Sequence, residues 1–431
     1  MMGPLAYDLT HLVSRLMVPS PSGIDRVDLA FARHFAVQRG PDLIGLHLSL
    51  VKPRLMTGAT IRQLVGLHDD MWRQSQSHVD DPALQRVLTW LAAPARRPDP
   101  EASLLPALSP WQKLEVHWLR ARLRLRKEGG QTLPAGAIYV NVAQHVLDLP
   151  RYYQWLDERP DLKKVFFLHD LLPLNMPEYF KAGYRPIFDG VIDLMTRHAS
   201  ALITTTHAVK DDVEADLKRR GRAVPPILVA PLPSPLGDEH ALLDPEINQH
   251  DYFVTTGTIE PRKNHLLLLQ VWRDLIERAA AHGRSAPRLV IIGKRGWENE
   301  QVIDLLERCL QIGGHVIEAS HLSSAGLRLL LGNARAALCP SFGEGYGLPV
   351  AEALSLGTPV IASDIKVFRE VSQNCARFLS PIDGKGWLEA IEEMSGQTGA
   401  AQTHWRAKVA DFQAQQWPDY FAKVEAFLQS L

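Results

Sequence analysis

The sequence predicts an α/β protein made of two consecutive parallel sheets, each with helices on both faces. Three observations predict it. Short apolar, β-branched runs recur along most of the chain, long amphipathic segments separate many of them, and a proline-rich stretch divides the series. The runs are 43–51, 137–142, 164–168, 201–205, 227–230, 252–256, 288–292, 315–318, 336–339 and 359–362. Two units accommodate them better than one sheet of ten strands.

The dividing stretch is 230–249, APLPSPLGDEHALLDPEINQ, in which Pro231, Pro233 and Pro235 alternate. Proline at that density resists helix and sheet alike and suits a connector. The expected organisation is a first domain over 1–235 with a helical insertion near 53–133, a second domain over 236–410 and a C-terminal helix over 411–431. In that last segment Trp417, Phe421, Val424 and Leu428 recur at helical spacing.

The 431 residues are 46% hydrophobic and 22% charged, ordinary globular composition that supports two full cores. Lys and Arg total 47 against 48 Asp and Glu, so a neutral chain has no global bias towards nucleic acid. The three cysteines, Cys309, Cys339 and Cys375, have no CxxC spacing, which argues against a disulfide framework or a zinc site. The opening MMGPLAYDLTHLVSRL lacks the features of a signal peptide, and no run approaches 18 uncharged apolar residues. A cytoplasmic protein is expected.

The segment 53–133 fits the alternation poorly. Within it Trp111, Leu114, Trp118, Ala121 and Leu125 share one helical face, and Lys113, Arg120, Arg124 and Lys127 lie opposite. Such a helix either packs on its own domain with a solvated basic back or rests on an anionic membrane surface. His68-Asp69-Asp70 and His78-Val79-Asp80-Asp81 superficially resemble metal ligands but read as solvated loop residues.

The chemistry concentrates in 341–364, SFGEGYGLPVAEALSLGTPVIASD, between two predicted strands. Gly343, Gly345 and Gly347 permit a sharp turn close to a ligand, and Pro349 opens a short helix. A glycine-rich turn feeding a helix N-terminus is an anion site. Glu344 lies in the turn and Glu352 one turn into the helix, where a carboxylate can accept two ribose hydroxyls. A second segment, VTTGTIEPRKNH, places Arg262 and Lys263 between a strand end and a helix, suited to a diphosphate. His169-Asp170 ends a further strand, where open α/β sheets bind ligands.

The spacing of Glu344 and Glu352 within EGYGLPVAEALSLGTPVIASD resembles the E-x7-E signature of retaining glycosyltransferases of family GT4, whose fold is GT-B, two Rossmann-like domains facing each other across a cleft. The resemblance implies an acceptor-binding first domain, a nucleotide-sugar-binding second domain and a C-terminal helix that returns to the first. It puts Glu352 on the donor ribose, Glu344 beside the donor sugar, and Arg262 and Lys263 on the diphosphate. Gly345, Tyr346, Gly347 and Leu348 then line the donor, as does Gly257 at the preceding strand end. In IIGKRGW, Lys294 is a candidate for phosphate, and His321-Leu322 matches the region whose backbone meets the base.

In the first half the resemblance sets His169 near the donor sugar and the reaction centre, with Asp170 beside it. PSPSGIDRVDLAFARHF resembles the family's N-terminal glycine loop, with Gly23 approaching diphosphate or acceptor and Arg26 a candidate for either anion. In TTTHAVKDDV, Lys210 is a candidate contact for donor or acceptor. The implied reaction moves a hexose to a glycan or lipid-linked acceptor with retention, in bacterial polysaccharide synthesis. No metal cofactor and no nucleic-acid partner are expected. The wording of EPRKNH and HDLLP is closest to mannosyl- and rhamnosyltransferases, which favours GDP-mannose over UDP or dTDP sugars. The competing readings are a nucleotide-sugar epimerase and a non-catalytic GT-B scaffold.

Overall fold

The structure, a computed structural model, describes residues 3–18, 21–49, 52–73, 81–97, 113–114, 116–119, 132–234, 236, 243–395 and 399–431. The first sheet contains β1 (Leu5–Asp8), β2 (Leu43–His47), β3 (Arg54–Met56), β4 (Ile138–Asn141), β5 (Lys163–Phe167), β6 (Ala201–Thr204) and β7 (Ile227–Val229), in the order β3-β2-β1-β4-β5-β6-β7. All pair in parallel except β3, which runs antiparallel to β2 through Gly45↔Met56. The second sheet is entirely parallel. It contains β8 (Tyr252–Thr256), β9 (Arg288–Ile292), β10 (Val316–Ala319), β11 (Ala337–Cys339), β12 (Val360–Ser363) and β13 (Arg377–Leu379), in the order β10-β9-β8-β11-β12-β13.

Each of the ten runs singled out in the sequence holds one of these strands. The strands not foreseen are β1, β3 and β13. Strand β1 is fully buried but has four residues, and its Asp8 is satisfied by Tyr139 and Asn141 from β4, a partnership invisible in sequence. Strands β3 and β13 are three-residue edge strands, only partly buried, so neither needs an apolar run.

In both sheets the chain order reverses beside the central first strand, between β1 and β4 and between β8 and β11. The crevices at the carboxyl ends of those strands are where ligands of such sheets bind. The helix Trp417–Ser430 returns to the first sheet's layer, as expected. Phe421 stacks on His34 at 3.9 Å and meets Phe31 edge-on at 5.2 Å, and Glu425 pairs with the buried Arg39.

The 53–133 segment divides its allegiance. The helix Gly58–Arg73 packs in the first half, where Trp72 Nε1 donates to Val18 O and His68 Nε2 to Leu12 O. The helix Pro82–Ala92 instead docks on the second sheet. Arg86 donates to Glu318 O at 2.8 Å, and the Arg288 guanidinium lies 4.8 Å over the Trp90 ring while donating to Trp90 O and Ala93 O. His68 is buried and pushed down to about 4 by that burial, and Asp69 pairs with Arg33. Residues 78–80 lie outside the described residues. So does most of the basic helix over 111–127, of which Leu114 and Trp118 are exposed and Val116 and Leu119 buried. Among the described residues no helix is long and apolar enough to cross a membrane.

Candidate active site

The glycine-rich turn after β11 runs into the helix Leu348–Ser355, whose N-terminal Gly347 adopts a left-handed φ of +88°. The turn is pressed against the first half of the chain. A Cβ on Gly345 would lie 2.9 Å from His169 O and 2.7 Å from Asp170 Oδ2, and one on Gly343 would lie 2.6 Å from Met176 Sδ. Thr205 Oγ1 donates to Gly345 O at 2.9 Å across the same junction. Glycine here is a requirement of close approach between the two halves.

Inside the turn, Glu344 is 9% exposed and gathers both cations of the 261–263 loop. Arg262 Nη1 lies 2.8 Å from its Oε2 and Lys263 Nζ 2.6 Å from its Oε1, to which Ser341 Oγ also donates at 2.7 Å. Burial alone would raise this carboxyl, but Arg262, Lys263 and the hydrogen bonds outweigh it and hold it at about 2. Arg262 also pairs with Glu260 at 2.5 Å and donates to Gly343 O at 2.6 Å. Gly257, at φ +126°, leaves room for the lysine, since a Cβ there would sit 3.3 Å from Lys263 Nζ. The cations are thus pre-positioned by carboxylates.

One turn along, Glu352 is 6% exposed, and its carboxylate lies 3.7 Å from Arg26 Nη1 of the opposite half. Burial pushes it up to about 7, opposed by Arg26 and Lys263. The helix Gly23–Gln38, which carries Arg26, starts against this site: a Cβ on Gly23 would lie 2.8 Å from Leu348 Cδ1. Two helix N-termini therefore converge on one crevice, both favourable to an anion.

His169 Nε2 sits 2.8 Å from Val142 O, and burial lowers the imidazole to about 4. A carbonyl only accepts, so Nε2 carries the proton and Nδ1 is left as the acceptor. Asp170 is pushed up by burial and accepts from Leu172 N at 3.0 Å.

The structure brings Gly23, Arg26, His169, Asp170, Gly257, Arg262, Lys263, Glu344, Gly345, Gly347, Leu348 and Glu352 around this junction. Others stand apart from it. Tyr346 donates its hydroxyl to Leu232 O at 2.6 Å, so its side chain is committed to the interdomain connector. Lys210 pairs with Glu214 at 3.6 Å along its own helix, and Lys294 is exposed. Leu322 is half-buried on the loop after β10.

Sequence reading missed several contributors. Ser341 and Glu260 orient the charged pair, and both lie inside the segments already singled out. His11 Nε2 bonds Asp25 at 2.7 Å, Arg15 joins it at 2.9 Å, and Asp25 caps the Gly23 helix through Ser22 N, which fixes the turn beside Arg26. Glu370 receives His207 N at 2.7 Å and Ala208 N at 3.3 Å, closing the helix that carries Lys210 from the other half. Glu370 and His207 are distant in sequence, and no local signal marks their pairing. Among the described residues no group of three His, Cys, Asp or Glu side chains is arranged to hold a metal ion.

Residues 244–394 match the family described as glycosyl transferases group 1. Over 242 residues the chain is 30% identical to the serotype-specific mannosyltransferase WbdA of Escherichia coli, covering 53% of this chain and 29% of that protein. It is 26% identical over 230 residues to the O-antigen chain mannosyltransferase RfbU of Salmonella typhimurium, covering 53% of this chain and 59% of that one. The match thus spans less than two thirds of either relative. Among solved structures, α,α-trehalose 6-phosphate synthase from Burkholderia multivorans superposes with a TM-score of 0.58 at 13% identity, covering 100% of this chain and 97% of that one. Anabaena HepE in complex with UDP gives 0.56 at 14% identity over the whole of both chains. At those identities the likeness is one of fold.

Proposed function

We propose that this chain, a GT-B protein whose residues 244–394 form a GT4-like group 1 glycosyltransferase domain, moves a hexose from a nucleoside diphosphate to an acceptor hydroxyl with retention of configuration. One observation carries the reading. Glu344 and Glu352 share one turn and helix, Arg262 and Lys263 stand on the first, and Arg26 reaches the second from the opposite half.

In this reading Glu352 accepts the ribose hydroxyls and the 261–263 cations take the diphosphate. As the bond from the anomeric carbon to phosphate breaks, the electron pair passes to the diphosphate. Arg262, Lys263 and the amides at Gly347–Leu348 stabilise the added charge, a preorganised electrostatic effect. The acceptor oxygen bonds the same carbon, and its proton passes to the departing diphosphate oxygen. Neutral His169 offers Nδ1 to a hydroxyl of the donor sugar or of the acceptor. The cations and helix termini supply the positive charge, so the reading includes no essential metal.

The mannosyltransferase relatives support GDP-mannose as donor and a polysaccharide or lipid-linked glycan as acceptor. Exposed Leu114 and Trp118, in a segment whose sequence carries Lys113, Arg120, Arg124 and Lys127, support a cytoplasmic protein resting on the inner face of the membrane. Neutralising Arg120, Arg124 and Lys127 should then weaken binding to anionic liposomes.

The deciding experiment is thermal unfolding with GDP, UDP, dTDP, ADP and CDP, with and without divalent metal, for wild type and Glu352→Ala. A ligand at a hundredfold excess over its Kd stabilises by about 2.7 kcal/mol. One nucleotide should stabilise wild type without metal, and the variant should lose the effect. No stabilisation at millimolar concentration would overturn the reading.

A further inference from the structure

The strap formed by residues 81–97 contributes a residue to the second half that no donor-site motif contains. Asp81 is 5% exposed and uses its two carboxylate oxygens on two different helices. Oδ1 accepts Leu84 N at 2.9 Å and caps its own helix. Oδ2 accepts Ser323 N at 2.7 Å, on the loop after β10. Ser323 in turn caps the helix Ser324–Asn333 through Gly326 N at 2.8 Å. A Cβ on Gly326 would lie 2.6 Å from Asp81 Oδ2, so glycine at 326 is what admits the carboxylate.

This loop lies on the ligand edge of the second sheet. Gly257 N bonds Ile292 O and Gly293 N bonds Ala319 O, so the ends of β8, β9 and β10 stand in one row that begins beside Lys263. His321, in the loop, holds a left-handed φ of +63°, which is uncommon outside glycine although histidine is enriched there. The Asp81 bond two residues later comes from the other half of the chain.

We propose that Asp81 is a positioning residue for the base of the bound nucleotide, holding the 320–323 loop in the form that receives it. The inference rests on the nucleoside-diphosphate reading above. It assigns the strap a role in completing the donor site: the loop is set only while Asp81 accepts Ser323 N.

The test is Asp81→Asn. The two bonds use different carboxylate oxygens, and asparagine puts an NH2 donor in one of those places, so it can accept from Leu84 N or from Ser323 N but not from both. The probes are the nucleoside diphosphate that binds wild type most tightly and inorganic pyrophosphate, which has no base. Loss of a charge-assisted bond at the loop should weaken the nucleoside diphosphate about tenfold and leave pyrophosphate unchanged. Gly326→Ala, which displaces the same carboxylate from the other side, should show the same split. Arg86→Ala loosens the strap without touching the loop and should leave the ratio at its wild-type value. Equal loss of both probes, or no loss of either, would overturn the proposal. If wild type binds pyrophosphate and no nucleoside diphosphate better, the donor-site reading fails, and this inference with it.

Discussion

Lys263 Nζ lies 2.6 Å from Glu344 Oε1, with Arg262 Nη1 2.8 Å from the other oxygen, so one buried carboxylate holds both cations of the 261–263 loop. Glu344→Gln keeps the shape and removes the charge. Breaking a buried pair in this way costs about 3–5 kcal/mol, and loss of one electrostatic group lowers turnover about 10²–10³-fold. The Glu344 carboxyl falls from 4.5 to about 2 on folding, so its contribution is present above pH 4.5 and is lost as pH falls towards 2. Denaturant unfolding of both proteins at pH 7 and pH 3 should show a gap that narrows at the lower pH.

Glu352 behaves in the opposite sense. Burial raises it from 4.5 to about 7, so the folded protein binds this proton more tightly, and the associated stability is lost as pH rises from 4.5 through 7. Glu352→Gln should therefore gain on unliganded wild type between pH 6 and pH 8. On the proposed reading the ionised carboxylate receives the ribose hydroxyls, so wild-type affinity for a nucleoside diphosphate should fall as pH drops through 7. The variant should show a flat profile in calorimetric titrations. His169, held near 4, does not titrate in that window.

Two glycines of the junction should respond differently to alanine. A Cβ at Gly345 meets His169 O and the Asp170 Cβ at 2.9 Å, atoms that move only with the backbone. A Cβ at Gly23 meets the mobile tip of Leu348 at 2.8 Å. Gly345→Ala should lower turnover at least about tenfold more than Gly23→Ala, because the halves must separate, and a 1 Å misplacement can cost about 10²-fold. Steady-state kinetics on both variants checks the contrast, and small-angle scattering reads the opening.

The C-terminal helix should be needed for the stability of the first half. Arg39 is 3% exposed in its side chain and pairs with Glu425, which also bonds His34 at 3.2 Å. Glu425→Ala leaves a buried guanidinium unpaired and should destabilise by about 3–5 kcal/mol. Thermal unfolding of the full chain measures it. Nucleotide affinity, read below the transition, should stay at the wild-type value, since the pair lies away from Glu352.

The sequence by itself determined the two-sheet plan and the chemistry of the 341–364 segment. Burial on both faces demands continuous apolar strands, and a turn between a strand and a helix is built from residues adjacent in the chain. Only the tertiary structure decided which distant groups complete that segment. Arg26 meets Glu352, Gly345 rests on Asp170, Asp81 caps the loop at Ser323, and Tyr346 is committed to Leu232. Hydrophobic periodicity specifies which face of an element is buried but not which polar partner waits there. The upward shift of the Glu352 carboxyl and the pairing of Arg262 and Lys263 to Glu344 follow from that burial and those partners.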